Sequence, residues 1–131
     1  MLDTIKEAEG GEYNKLYGGT TFSDFCKHPP GKIGSDHKLH SPAGAFQMTL
    51  GTWDGIAKEL GLNDFGPFNQ RLAAARDIAT HPGAVSSLDH GNIAGAVGRL
   101  NKEWSSLPGG ATPKYDLPTF ISRYDSHLAT Q

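Results

Sequence analysis

An α+β fold is predicted, mostly helical, with a small β-hairpin lobe facing a helical lobe across a cleft. Three observations carry that prediction. Apolar residues recur at helical spacing in several separate stretches. Short β-prone runs flank a Gly-Gly turn near the start of the chain. The length, 131 residues, suits one domain over 1–131, and the sequence holds neither an internal repeat nor a low-complexity tract.

Each element has its own signal. Leu2, Ile5 and Ala8 share a helical face, and Gly10-Gly11 stop that helix because glycine takes the left-handed conformation without a clash. Residues 12–17 and 20–25 flank Gly18-Gly19 and predict a hairpin, with Phe22 and Phe25 covering the core. Residues 27–44, rich in Gly and Pro, predict a long functional loop. In 46–60 the face Trp53, Ile56, Ala57 and Leu60 predicts a helix capped by Gly61. Pro67 suits a first helical turn, and Phe68, Leu72, Ala75 and Ala79 mark the face of the next helix. His81-Pro82-Gly83 ends it, and 84–88 form one more short turn. Ile93, Ala96, Val97, Leu100 and Trp104 give a further stripe, ended by Leu107-Pro108-Gly109-Gly110. A last helix follows Asp116, with Pro118 in its first turn and Leu117, Phe120, Ile121, Tyr124 and Leu128 inward.

Composition excludes several classes. Net charge is -2 without a basic run, so a nucleic-acid footprint is not expected. No stretch approaches the roughly 20 apolar residues of a membrane span. The start, Met-Leu-Asp-Thr-Ile-Lys-Glu, has no apolar core of a signal peptide. One cysteine, Cys26, forms no internal disulfide and is expected as a small buried residue. His37 and His40 have the spacing of a metal pair but lie in a Gly/Pro-rich loop without a third ligand at motif spacing. No metal, no cofactor and a monomeric state are expected.

Glu9 is the candidate for chemistry. It is the last charged residue of a helix that ends abruptly, where exposed carbonyls disfavour a carboxylate and favour its protonated form. A carboxylic acid held protonated near neutral pH can serve as general acid on a glycosidic oxygen. The plain alternative is a solvated acid at a helix end. Other polar or aromatic candidates also have two readings. Gln47 offers donor and acceptor to an N-acetyl group, or is a polar residue at a helix start. Ser41 bonds sugar or caps a turn. Tyr13 stacks on a sugar ring or buries in the hairpin. Asn101 lines a groove or sits on the surface, and Trp53 and Trp104 belong to the core.

Four segments together resemble the phage lambda type of lysozyme, a family of lytic transglycosylases. Glu9-Gly10 resembles the family's catalytic glutamate followed by glycine. Tyr17-Gly18-Gly19-Thr20-Thr21-Phe22-Ser23-Asp24 with His28-Pro29 is similar to its Gly-Gly turn and Asp-x-x-x-His-Pro. Ser41-Pro42-Ala43-Gly44-Ala45-Phe46-Gln47, followed by Thr52-Trp53-Asp54, resembles its Ser-x-Ala-x-Gly-x-Tyr-Gln and Trp-Asp. Trp104-Ser105-Ser106-Leu107-Pro108-Gly109 resembles its Trp-Ala-Ser-Leu-Pro-Gly. There are departures: Phe46 stands where the family usually has Tyr, Asn14 where relatives are often acidic, and residues 110–115 replace a Tyr-Gly-Gln continuation.

The resemblance implies a lysozyme-like fold and a peptidoglycan substrate, cut at the MurNAc-β-1,4-GlcNAc bond to leave 1,6-anhydro-MurNAc. It implies Glu9 as the catalytic acid and base, with Gln47, Ser41, Tyr13, Phe46 and Asn101 as the substrate-binding set. The alternatives are a two-carboxylate muramidase using Glu12, Asp24 or Asp36 as second acid, and a weak peptidoglycan-binding module. An endolysin made in the host cytoplasm without a signal peptide would act on the wall in the periplasm. It would need a separate membrane-permeabilising partner or carriage on a phage particle.

Overall fold

The computed structural model describes residues 1–130. In chain order its elements are α1 (Leu2–Ala8), β1 (Lys32–Ile33), β2 (Leu39–His40), α2 (Leu50–Leu60), α3 (Pro67–Thr80), α4 (Ala84–Asp89), α5 (Ile93–Leu100) and α6 (Leu117–Ala129). The class is the expected α+β one, mostly helical with one small antiparallel sheet. The chain divides into two compact units: Met1–Gly10 with the chain from Asp77 onward, and Gly11–Arg76.

The first unit is built of helices around an apolar core. α5 buries Ile93, Ala96, Val97 and Leu100, and Trp104 and Leu107 continue that core beyond its end. Asn92 starts α5 by accepting a hydrogen bond from the Gly95 N–H at 2.9 Å. Asp116 does the same for α6 through the Thr119 N–H at 2.9 Å, with Pro118 in the first turn. Phe120 is fully buried, but Leu128, expected inward, is 55% exposed. In that last turn His127 takes the half-buried place instead, because Glu7 of α1 holds its Nε2 while also accepting from Arg123 at 3.0 Å. These ion pairs dock α1 on α6, with Thr4, Ile5 and Ala8 buried on the α1 face.

The second unit is mostly loop. The Gly18-Gly19 turn stands where expected, with both φ values positive (89° and 96°), yet no strands flank it. A single bridge, Lys15 to Thr21, closes the turn, with the Leu16 N–H on the Thr20 carbonyl at 2.7 Å and the Phe22 N–H on the Asn14 carbonyl at 2.9 Å; Leu16 also pairs with Ala43, which in turn pairs with Met48. The real strands fall inside the stretch expected to be loop: Lys32 pairs with His40 and Ile33 with Leu39. Cys26, expected buried, is exposed. Its N–H instead bonds the Asp24 carboxylate at 2.8 Å in a tight turn that leaves the thiol outward.

α2 begins later than expected, at Leu50. Thr49 supplies the N-cap, residues 44–47 form turns, and Gly61 closes the helix in the left-handed conformation (φ 69°). Trp53 and Ile56 are buried as expected, whereas Leu60 is partly exposed.

α3 is rotated relative to the expected face. Phe68 is 76% exposed and Leu72, Ala75 and Ala79 also face outward. The buried stripe is Gln70, Ala73, Ala74, Asp77 and Ile78, a correct helical spacing that hydropathy does not show because two of its members are polar.

Candidate active site

Glu9 sits at the C-cap of α1, with φ -83° and ψ -3°, and its N–H bonds the Ile5 carbonyl at 2.9 Å. Gly10 and Gly11 follow at φ 101° and 82°, a left-handed pair that other residues adopt only under strain. The helix therefore ends at the acid, as the glycines predict. The Glu9 carboxylate accepts a hydrogen bond from the Ser106 hydroxyl at 2.9 Å, across 97 positions of sequence. Ser106 lies in the turn after α5, where Leu107 N–H bonds the Trp104 carbonyl and Gly110 N–H bonds the Leu107 carbonyl. The 110–115 segment folds back on this turn: Thr112 N–H reaches the Ser105 carbonyl at 3.0 Å and Lys114 N–H the Ser106 carbonyl at 2.8 Å.

Sequence reasoning missed Ser106, although it lies within a segment that carried the family resemblance. Asn101 caps α5 nearby in sequence, and its amide donates to the Pro108 carbonyl at 3.2 Å, so it braces the same turn.

The other expected binding residues belong to the loop-rich unit, and three of them gather around one turn. Gln47 has a positive φ of 45°, and its Nε2 donates to the carbonyls of Gly44 at 2.8 Å and Lys15 at 3.3 Å. Phe46 is 2% exposed and lies edge-on to the half-buried Tyr13 ring, centroids 6.5 Å apart. The Tyr13 hydroxyl accepts from Arg71 at 3.4 Å. Ser41 stands apart from this group: it is buried and its hydroxyl accepts from the Leu50 N–H at 2.9 Å, starting α2.

Gln70, absent from the sequence-predicted set, organises the turn. It is 3% exposed, accepts from the Ala45 N–H at 2.9 Å, and donates to the Tyr13 and Phe65 carbonyls at 3.0 and 2.8 Å. A Cβ on Gly44 would fall 2.3 Å from its Oε1, so glycine is required there.

Two further features of this unit escaped the sequence. His28 is buried, with its ring nitrogens against the Pro29 and Met48 carbonyls at 2.6 and 2.8 Å and its ring 4.6 Å from Phe65. The exposed Tyr17 ring stacks on His40 at 4.8 Å beside an apolar hollow of about 330 Å³ lined by Leu16, Pro29, Ile33 and Pro42.

Of the three candidates for a second carboxylate, Asp24 and Asp36 are engaged in their own loops. Asp24 accepts from the Cys26 N–H, which holds its carboxyl below the usual carboxylate range. Asp36 is lowered likewise by hydrogen bonds from His40 and the Lys38 N–H. His40 is thus committed to Asp36, and among the described residues no group of three ligands includes His37 and His40. Among the described residues one group could hold a metal ion, and it lies elsewhere: Asp77, His81 and Glu103.

Known proteins place this geometry in a class. The lysozyme of bacteriophage lambda in complex with a chitohexasaccharide matches at TM-score 0.82 and 30% identity, covering 95% of this chain and 89% of that one. A second structure of lysozyme from bacteriophage lambda matches at TM-score 0.80 and 27% identity, with the same coverage. The fold is lysozyme-like, and the chain is a lysozyme-type muralytic enzyme.

The endolysin family model matches residues 1–130. The endolysin of Escherichia phage lambda is 35% identical over 127 residues, covering 88% of this chain and 80% of the relative. That of Escherichia phage P2 is 33% identical over 94 residues, covering 67% and 56%. The chain belongs to the endolysin family.

Proposed function

We propose that this endolysin is a lytic transglycosylase acting on the glycan strands of peptidoglycan, with Glu9 as its single acid and base. The observation that carries the reading is the Glu9 site itself: an acid at an abrupt helix end, opened by two left-handed glycines and oriented by Ser106 at 2.9 Å. Protonated Glu9 gives its proton to the oxygen linking MurNAc to GlcNAc, and the bond from that oxygen to the anomeric carbon breaks. The resulting carboxylate then takes the proton of the MurNAc 6-hydroxyl, whose oxygen bonds to the anomeric carbon. The product is 1,6-anhydro-MurNAc, Glu9 ends protonated, and no water is consumed.

A two-acid hydrolase requires a second free carboxylate, about 5 Å or about 6.5–9.5 Å from the first. Asp24 and Asp36 are instead held by hydrogen bonds within their own turns. Gln47, Ser41, Tyr13, Phe46 and Asn101 are the candidate contacts to the glycan strand, and Gln70 fixes the turn on which Gln47 is mounted. The saccharide bound by the lambda lysozyme supports a β-1,4-linked N-acetylhexosamine chain as ligand.

Digestion of purified peptidoglycan, read by mass spectrometry, tests this reading. Anhydro-muropeptides from the wild type and none from Glu9→Gln are expected. Products heavier by one water, lost on Asp24→Asn, would establish the hydrolase instead.

A further inference from the structure

The cluster at the end of α3 contains an arrangement that the glycan chemistry does not use. Asp77 lies in the last turns of α3, His81 one turn later, and Glu103 just beyond α5. One ligand atom from each lies within 4.8 Å of the others. The His81 Nδ1 faces the Asp77 main-chain carbonyl at 2.9 Å. A carbonyl only accepts, so Nδ1 carries the proton and, in the neutral ring, Nε2 presents its lone pair. That lone pair points at the Glu103 carboxyl, 2.9 Å away.

Asp77 completes the set. It is 6% exposed, and its Oδ2 has no hydrogen-bond partner. A buried carboxylate oxygen left in that state carries its full desolvation cost. With all three deprotonated, three acceptors converge and only a shared proton or a cation can balance them.

We propose that Asp77, His81 and Glu103 form a binding site for a divalent transition-metal ion of the zinc class, which clips the end of α3 to the segment after α5. Imidazole nitrogen and carboxylate oxygen are both zinc ligands, and solvent can complete a tetrahedron around the three. In a tetrahedron, ligand atoms about 2.0–2.2 Å from zinc lie about 3.3–3.6 Å apart, so the widest pair here must close by at most about 1.5 Å. The contact from His81 Nδ1 to a main-chain carbonyl is the outer-sphere bond that fixes the tautomer of a ligating histidine. Metal ligands bind deprotonated, so binding displaces protons and affinity weakens as pH falls. The role is structural. It is independent of the transglycosylase reading, since none of the three residues touches Glu9 or Ser106 by any hydrogen bond described.

Calorimetric titration of the full chain with zinc chloride, and with cobalt(II) followed by visible absorbance, tests the site. Expected are one saturable equivalent, a proton released per ion in buffers of different ionisation enthalpy, and a Tm that rises with zinc and returns on adding chelator. Glu103→Gln and His81→Ala should each weaken binding at least about tenfold and abolish the rise in Tm. Because Glu103→Gln is nearly isosteric at a partly exposed position, it tests the site without unfolding the protein. In the wild type, zinc should shift the imidazole NMR signals of His81 and leave those of His90 in place. No saturable binding, or binding unchanged in both variants with the His81 signals unmoved, would overturn the proposal.

Discussion

The two units solve the same burial problem by opposite means. In the helical unit, regular elements satisfy the backbone and the core is left to apolar groups: Ile5, Ile93, Val97, Leu100, Leu107 and Phe120. In the Gly11–Arg76 unit the strands are two residues each, and irregular turns are buried at Ala43, Ala45 and Phe46. Buried backbone groups without a ladder still need partners. Gln70, Gln47, His28 and Ser41 supply them, reaching the backbone of Ala45, Phe65, Tyr13, Gly44, Met48 and Leu50. The difference teaches that in a loop-rich unit a buried polar side chain does the work that a hydrogen-bonded ladder does in a helical one.

The largest effect expected from breaking this contrast falls on chemistry. Glu9→Gln should lower muropeptide release by about 10²–10⁴-fold while leaving Tm within a few degrees, since the residue ends its helix through its backbone. Unchanged turnover would remove Glu9 from the mechanism.

The next pair sharpens the comparison directly. Gln70→Leu keeps size but strands the Ala45 N–H and the Tyr13 and Phe65 carbonyls. It should cost about 3 kcal/mol at one or more orphaned groups. Leu100→Ala in the helical core should cost a similar 2–5 kcal/mol, roughly, through its cavity. Urea unfolding of both variants measures this. A Gln70→Leu chain as stable as wild type would show that the polar contacts are incidental.

Ser106→Ala comes third. Loss of its bond to the Glu9 carboxylate should reduce kcat about tenfold with KM nearly unchanged, because the serine orients the acid rather than the sugar. Steady-state kinetics on soluble glycan strands separates the two parameters.

The smallest effect concerns pH and is read with chelator present. Glu103 holds its proton in the folded state up to about 8 but loses it near the ordinary value of 4.5 when unfolded. Between those values the folded chain binds more protons than the unfolded one. Its contribution is therefore full below about 4.5 and is lost as pH rises toward 8. Tm should fall across that window, and Glu103→Gln should flatten the fall. An equal slope in both proteins would assign the pH dependence to other groups.

The same contrast explains what was legible beforehand. Helical periodicity located α5 and the buried side of α6 at Phe120, because there an apolar stripe and a buried stripe coincide. It misplaced the face of α3, where the buried stripe runs through Gln70 and Asp77 while Phe68 lies outside. It also took residues 12–25 for strands and 27–44 for loop. Whether a short run extends into a strand depends on which partner reaches it, and Leu16 is shared between Thr20 of its own turn and Ala43.

By itself, then, the sequence determined the fold class, the helix ends at Gly10 and Gly61, the apolar core of the helical unit and the acid at the end of α1. Each of these follows from local conformational preference or from periodicity along a single element. Only the tertiary structure decided that Ser106 holds Glu9 across 97 positions, that Gln70 anchors the Gly44 turn, and that Asp77 and His81 meet Glu103. Those contacts join distant segments through hydrogen bonds and charge. Such bonds leave no period in the chain, and they exist only once the backbone has brought their partners within about 3 Å.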